Sequence, residues 1–307
     1  MPAATPPAPT LDQLLSPAAK ETLRHLELFA RRKVQGLLHG IHRSKRIGVS
    51  TDFDHHKNYQ PGDPLKHVDW KVSARHDRFY VKRYTEDTAL AVRLVVDRSA
   101  SQLQATEELP SKYLQACRLA ACLAYLVLQQ KDSVGLALAC GEQVRWLPVS
   151  STSAHLVAIL RELAGRPATA TDAVAPCLRA MLDRGERRGL VVLISDLLFD
   201  PAPTQRELGR LLAQGHEVLL CQLRDPTEEE FPFNRWVEFR DLENAATKHR
   251  LDTVPLKRLY REEYQALLGE WRAWARRYGV HFLTARTDEH VETILSQYLA
   301  YRATLLA

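Results

Sequence analysis

LAVRLVVDRSASQ, residues 90–102, is an apolar run that stops at an acid and continues into two hydroxyls one residue apart. Its Val and Leu residues follow one another with almost no polar alternation, the pattern of a strand buried on both faces of a parallel sheet. Arg93 is the single interruption. Open α/β sheets take their ligands in the crevice beyond the carboxyl ends of the strands, so Asp97, Ser99 and Ser101 are expected at a crevice and not in a core. The D-x-S-x-S spacing lets three side-chain oxygens converge while Arg98 and Ala100 face away. Hard oxygens without His or Cys suit magnesium, calcium or manganese rather than zinc. A plainer reading stays open and is favoured on these five residues alone: Asp97 caps a helix beginning near Pro110 or Ser111, and the serines satisfy turn amides.

A second strand of the same kind, GLVVLIS at 189–195, ends at Asp196. Between the two, Lys112 to Gln130 is apolar nearly all round and predicts a helix buried against the sheet. Asp132 to Ala139 and Gln143 to Val149 are joined by Cys140-Gly141-Glu142, a connection so short that the two strands form an antiparallel hairpin at a sheet edge. A helix at 154–163 follows, then TATDAVAPCLRAMLDRG, a loop feeding another helix. Beyond Asp196 come a helix at 204–213, a strand Glu217 to Leu223, a loop with Glu228-Glu229-Glu230 and a strand Trp236 to Arg240. A long helix at 256–278, a strand at 280–285 and a last helix capped by Thr287 complete the chain. This alternation predicts an α/β fold: a doubly wound, mostly parallel sheet with helices on both faces and an antiparallel edge hairpin. If the two apolar strands are neighbours, Asp97 and Asp196 reach one rim, and the loop carrying Thr169, Thr171 and Asp172 reaches it too. The candidate ion ligands are then Asp97, Ser99, Ser101, Thr171 and Asp196, five oxygen groups from three loops, which helix capping alone does not predict.

The chain has 307 residues, 45% of them hydrophobic, ample for a large core. Crossing a bilayer needs about 18 or more consecutive apolar residues, and the nearest approach, LAACLAYLVLQQ after Arg118, falls short. The start, MPAATPPAPTLDQ, lacks the basic and apolar regions of a secretory signal, so a cytoplasmic location is expected. Cysteines 117, 122, 140, 177 and 221 are odd in number and show no C-x-x-C spacing, which predicts reduced, buried thiols.

Three regions are expected. Residues 1–15, rich in Pro and Ala, form a flexible tail; 16–87 hold a helix through Gly40 and a strand-containing block; 88–307 form the main domain. The block has too little periodic apolar sequence for a core of its own, so it is expected to pack on the main domain. Residues 31–83 carry thirteen Lys or Arg against five Asp, while the remainder is slightly acidic.

The combination DRSAS, then TDAVAPCL, then ISD resembles the metal-ion-dependent adhesion site of von Willebrand factor A domains. The upstream string YQPGDPLKHVDWKVSAR, followed by VKRYTED, is similar to the signature of the bacterial family called domain of unknown function 58, and the motifs stand in that family's order. The resemblance covers residues 30–225 well and the rest by topology; members usually have Met where this chain has Gln102, a position that is not a ligand. It implies a von Willebrand factor A-like fold in which Ser99, Ser101 and Thr171 bind magnesium, or manganese or calcium, through hydroxyls. Asp97 and Asp196 would act largely through water, leaving a position for a partner's carboxylate. It also implies a MoxR-type AAA+ ATPase as partner and a chaperone-like assembly role; many relatives carry amino-terminal transmembrane helices, which are not expected here. The signature residues Tyr59, Gly62, Asp63, Asp69, Trp70 and Arg75 have a structural reading, with Pro61-Gly62 as a turn, Trp70 packing and Asp69 pairing with Arg75, and a partner surface is the alternative.

Two other function classes draw on parts of the sequence. A carboxylate rim with a divalent ion can hydrolyse phosphate or peptide bonds, but there is no phosphate-cradling G-x-x-x-x-G-K-[ST] loop and no G-x-S-x-G elbow, so no catalytic residue is assigned. The basic block could bind nucleic acid, yet it matches no such motif, and a solvated face or a surface for an acidic protein is the plainer reading. Its six histidines (39, 42, 55, 56, 67, 76) lack zinc-ligand context.

Overall fold

The computed structural model describes residues 52–60, 68–75, 78–85, 90–103, 109–141, 143–164, 173–233, 235–240 and 248–304. The helix expected within 16–40, and Gly62, Asp63, Thr169, Thr171 and Asp172, lie outside the described residues. The chain divides into two compact units, one of Gly36–Ala89 and the other of Met1–Gln35 with Leu90–Ala307.

In the small unit, β1 (Asp52–Asn58) pairs antiparallel with β2 (Tyr80–Thr85), Asn58 standing opposite Tyr80. Between them a one-turn helix, α1 (Trp70–Ser73), is capped by Asp69, whose Oδ1 accepts from the Val72 amide at 3.2 Å. Val68 bridges to Val81, and both are buried. Trp70 does not pack inward as expected. The helix ends after a single turn and leaves the indole 61% exposed, edge-on to the equally exposed Phe79 at 6.0 Å. Phe79 also meets Tyr59 edge-on at 6.5 Å, and Arg75 is exposed.

In the large unit the chain runs through β3 (Ala91–Asp97), a 3-10 turn (Ala100–Leu103), α2 (Lys112–Gln129), β4 (Ser133–Cys140), β5 (Gln143–Ser150) and α3 (Ser153–Leu163). It continues through α4 (Val174–Asp183), β6 (Leu190–Ser195), α5 (Pro201–Ala213), β7 (Glu217–Arg224) and α6 (Pro226–Glu230). The last elements are β8 (Trp236–Arg240), β9 (Lys248–Asp252), α7 (Thr253–Tyr278), β10 (His281–Arg286) and α8 (Val291–Thr304). Six strands form one sheet in the order β10-β7-β6-β3-β4-β5, parallel except for β5, which pairs antiparallel with β4 at the edge. This is the doubly wound α/β architecture that the sequence predicts. From β3 the chain winds outward to β4 and β5, then returns to β6 on the other side of β3, so the winding reverses between β3 and β6. Val96 stands opposite Ile194, and the two strands leave the sheet side by side at that reversal.

Both faces of the sheet are covered. Val92, Leu94 and Val96 pack with α2, α3 and α8, while Val95, Val191 and Leu193 pack with α4, α5 and α7, including the fully buried Trp271. Four of the five cysteines are buried, none is in a disulfide, and burial pushes the Cys117, Cys122, Cys177 and Cys221 thiols up to about 12.

Two expectations change. The strand Trp236–Arg240 pairs with β9 in a separate two-stranded hairpin. Thr287 does not cap the last helix, because a turn intervenes before Val291 and its hydroxyl donates to Asp225 Oδ2 at 3.3 Å.

Arg93 is 2% exposed; its Nε is bonded to Glu186 Oε2, and its Nη2 donates to the Arg187 carbonyl at 2.7 Å. Removing one partner of a buried pair strands the other charge. Glu186→Ala should therefore cost about 3 kcal/mol, read in urea as a lower midpoint at unchanged slope.

Candidate functional site

β3 ends in a turn that its own last residue builds. Asp97 is 1% exposed, and its Oδ1 accepts the Ser99 amide at 2.9 Å, the local bond by which Asp mimics a backbone turn. The 3-10 turn follows, and the bend brings Ser99 Oγ and Ser101 Oγ to 3.0 Å. The end of β6 is built in the same way. Ser195 Oγ accepts the Leu197 amide at 3.0 Å and Asp196 Oδ1 accepts the Leu198 amide at 3.2 Å, with Leu197 in the left-handed region at φ 60.

The two turns are joined through Asp97 Oδ2, which accepts from Ser195 Oγ at 2.7 Å and Gln102 Nε2 at 3.2 Å. Capping of α2 falls to Ser111, whose Oγ accepts the Leu114 amide at 3.2 Å, so Asp97 is not that helix's cap. Of the five candidate ligands, Asp97, Ser99, Ser101 and Asp196 lie on these two turns.

Burial first, and then the Asp196 carboxylate, push Asp97 up to about 6, against the hydrogen bonds from Ser195 and Ser99. Asp196 is met by a group that the sequence reading did not assign to the site. Lys112, the first residue of α2 and 0% exposed, donates from Nζ to Asp196 Oδ2 at 2.7 Å and to Glu228 Oε1 at 2.5 Å. Burial alone would push this ammonium down, but Asp196 and Glu228 outweigh it and hold Lys112 well above its ordinary range. Glu228, on α6 and 8% exposed, is raised by burial despite the lysine.

One sequence signal pointed to this arrangement. A cation in the first turn of a helix opposes the macrodipole, so a Lys directly after the Ser111 cap of an otherwise apolar helix calls for an anionic partner. Gln102, set aside as a non-ligand, takes a supporting place behind Asp97.

The residues present fit a hard divalent ion. Adjacent ligands of an octahedral ion with bonds of about 2.1 Å lie about 3 Å apart, which matches the spacing of the two serine hydroxyls. Two buried acceptors of the network, Gln102 Oε1 and Glu228 Oε2, have no hydrogen-bond partner among the described residues. No group of three or more His, Cys, Asp or Glu among those residues could hold a metal, so an ion here would draw on hydroxyls.

Residues 55–273 match the family described as protein of unknown function DUF58, and the chain belongs to that family. Its large unit is a doubly wound, mostly parallel sheet with an antiparallel strand at one edge. An uncharacterized protein of Mycobacterium tuberculosis is 29% identical over 300 residues, which are 97% of this chain and 94% of the relative. The uncharacterized protein YeaD of Bacillus subtilis is 29% identical over 170 residues, 53% of this chain and 40% of its own. Among solved structures, the conserved hypothetical protein BatB of Bacteroides thetaiotaomicron aligns with TM-score 0.44 and 14% identity, over 70% of this chain and 100% of that one. The SpRpn10 VWA domain aligns with TM-score 0.40 and 11% identity, over 68% and 95%.

The serines on the rim should separate by role. Ser195→Ala removes a donor to a buried carboxylate and strands the Leu197 amide, and should cost about 2–3 kcal/mol. Ser101, half-buried and bonded to Ser99, should cost less than about 1 kcal/mol as Ser101→Ala. Urea unfolding in the presence of chelator measures both.

Proposed function

We propose that this chain is a protein-binding module whose partner is engaged through a divalent ion, magnesium by donor chemistry, on the rim between β3 and β6. Ser99 and Ser101, together with Thr171, would hold the ion through hydroxyls, and Asp97 and Asp196 would supply the negative field behind them. The observation that carries the reading is the pair of serine hydroxyls 3.0 Å apart, on the turn that follows the buried Asp97 at the reversal of the sheet. Such reversals are where open α/β sheets bind ligands. When bound, an ion with few charged ligands supplies an electrophilic position for an incoming anionic oxygen.

The chain's own residues favour binding over bond cleavage. Ser195, the hydroxyl hydrogen-bonded to a carboxylate whose pKa is raised, is 0% exposed and also accepts from Leu197, so no substrate reaches it. Ser101 is half-buried and open to a partner's side chain. In this reading the partner is a protein presenting a carboxylate, of the MoxR-type AAA+ class that the sequence resemblance implies, and the chain is its cytoplasmic accessory or chaperone-like assembly factor. The excess of Lys and Arg over 31–83 favours an acidic partner surface. No helix among the described residues is long and apolar enough to cross a membrane.

Calorimetric titration with MgCl2 and MnCl2, paired with capture of the AAA+ partner in the presence of ion or chelator, tests the reading. Ser99→Ala with Ser101→Ala should lose both ion binding and ion-dependent capture while shifting unfolding by less than about 1 kcal/mol. Unchanged binding and capture by this double variant would show that the turn holds no ion. The purified chain should not turn over ATP.

A further inference from the structure

The ion-site reading makes no use of Lys112 and Glu228, yet they are the most heavily constrained charges on the rim. Lys112 is 0% exposed and stands at the amino end of α2, so its ammonium is opposed by both desolvation and the helix dipole. Lysines in such positions usually extend toward water, whereas this one bridges Asp196 Oδ2 at 2.7 Å and Glu228 Oε1 at 2.5 Å. Glu228 is held just as firmly. Asp225 caps α6 by accepting the Thr227 amide at 2.8 Å, and the helix closes on Phe231, left-handed at φ 43 and stacked on Tyr260 at 4.8 Å.

The division of charge on the rim is uneven. Lys112 serves Asp196 and Glu228, while the hydrogen-bond donors around Asp97 are all neutral: the Ser99 amide, the Ser195 hydroxyl and the Gln102 amide. Negative potential is therefore concentrated at Asp97, next to the paired hydroxyls. With Asp97, Asp196 and Glu228 ionised and Lys112 protonated, the network carries two net negative charges, equal and opposite to one divalent ion. Without the lysine it would carry three.

Resting on the ion-site reading, we propose that Lys112 and Glu228 are positioning residues that tune the rim to one divalent ion. Lys112 is the resident counter-ion that keeps Asp196 in place when no divalent ion is bound and holds ion affinity down. Glu228 offsets it and keeps the affinity from vanishing. A buried charge acts over several ångströms in a medium of low dielectric, so each residue affects the ion without touching it.

The test uses the full chain, MnCl2 and MgCl2 in calorimetry, and thermal unfolding in chelator and in magnesium. Lys112→Met should bind manganese at least about tenfold more tightly than wild type. It should also melt lower in chelator and gain more from magnesium than wild type does. Glu228→Gln should bind about tenfold more weakly, and the double variant should return to within about threefold of wild type. Should Lys112→Met fail to fold without ion, Glu228→Gln carries the test alone. Wild-type ion binding with single variants indistinguishable from it, or shifted in the opposite directions, overturns the proposal and leaves the ion site standing. Absence of ion binding in wild type and in every variant removes the site and the proposal together.

Discussion

Two carboxylates lie buried at adjoining strand ends, and most of the polar structure nearby exists to make that tolerable. Asp97 and Asp196 are each 1% exposed, and burial together with the neighbouring Asp196 charge raises the cost of ionising Asp97. The protein answers with two kinds of compensation. Around Asp97 it uses neutral hydrogen bonds that also shape the turn after β3; at Asp196 it uses the Lys112 ammonium, which brings in Glu228 and thereby fixes the start of α6. The entry to α2, the turn after β6 and the loop after β7 are thus tied to one electrostatic problem, while the sheet beneath them is apolar on both faces.

Much of the fold was legible because the central strands are buried on both faces and their sequences say so without ambiguity. β3 and β6 follow from LAVRLVVD and GLVVLIS, and the edge hairpin follows from the brevity of Cys140-Gly141-Glu142. β1 and β9 left little trace, since DFDHHKN and KHRLD are polar, and strands outside the main sheet need no apolar run. Thr287 read as a cap because Thr ahead of a helical pattern is ordinarily one. Its hydroxyl instead bonds to Asp225, 62 residues earlier, a contact that only the assembled sheet creates.

The placement of four candidate residues was legible to a similar degree. Motif spacing was enough to place Asp97, Ser99, Ser101 and Asp196 on adjoining turns, because strand ends and turn chemistry are local properties. The lysine network was not, because Lys112 meets Asp196 and Glu228 across 84 and 116 residues of chain. Its trace in the sequence is a local contradiction, a cation at the positive end of a helix, and such contradictions mark positions where tertiary structure overrides local preference.

The Arg93–Glu186 pair has a consequence for how the central strand finds its place. A strand buried on both faces lacks the alternation that normally distinguishes one pairing register from its neighbours. In β3 that information comes from charge. Arg93, Val95 and Asp97 share one face, and the arginine needs Glu186 at one end of the sheet while the aspartate needs its turn at the other. A slip of one residue would turn both charges into the apolar layer beneath α2 and α8, and a slip of two would part each from its partners. The ion pair therefore rejects misaligned sheets during folding, a service measured by the energy of the states it forbids rather than by the contacts it makes.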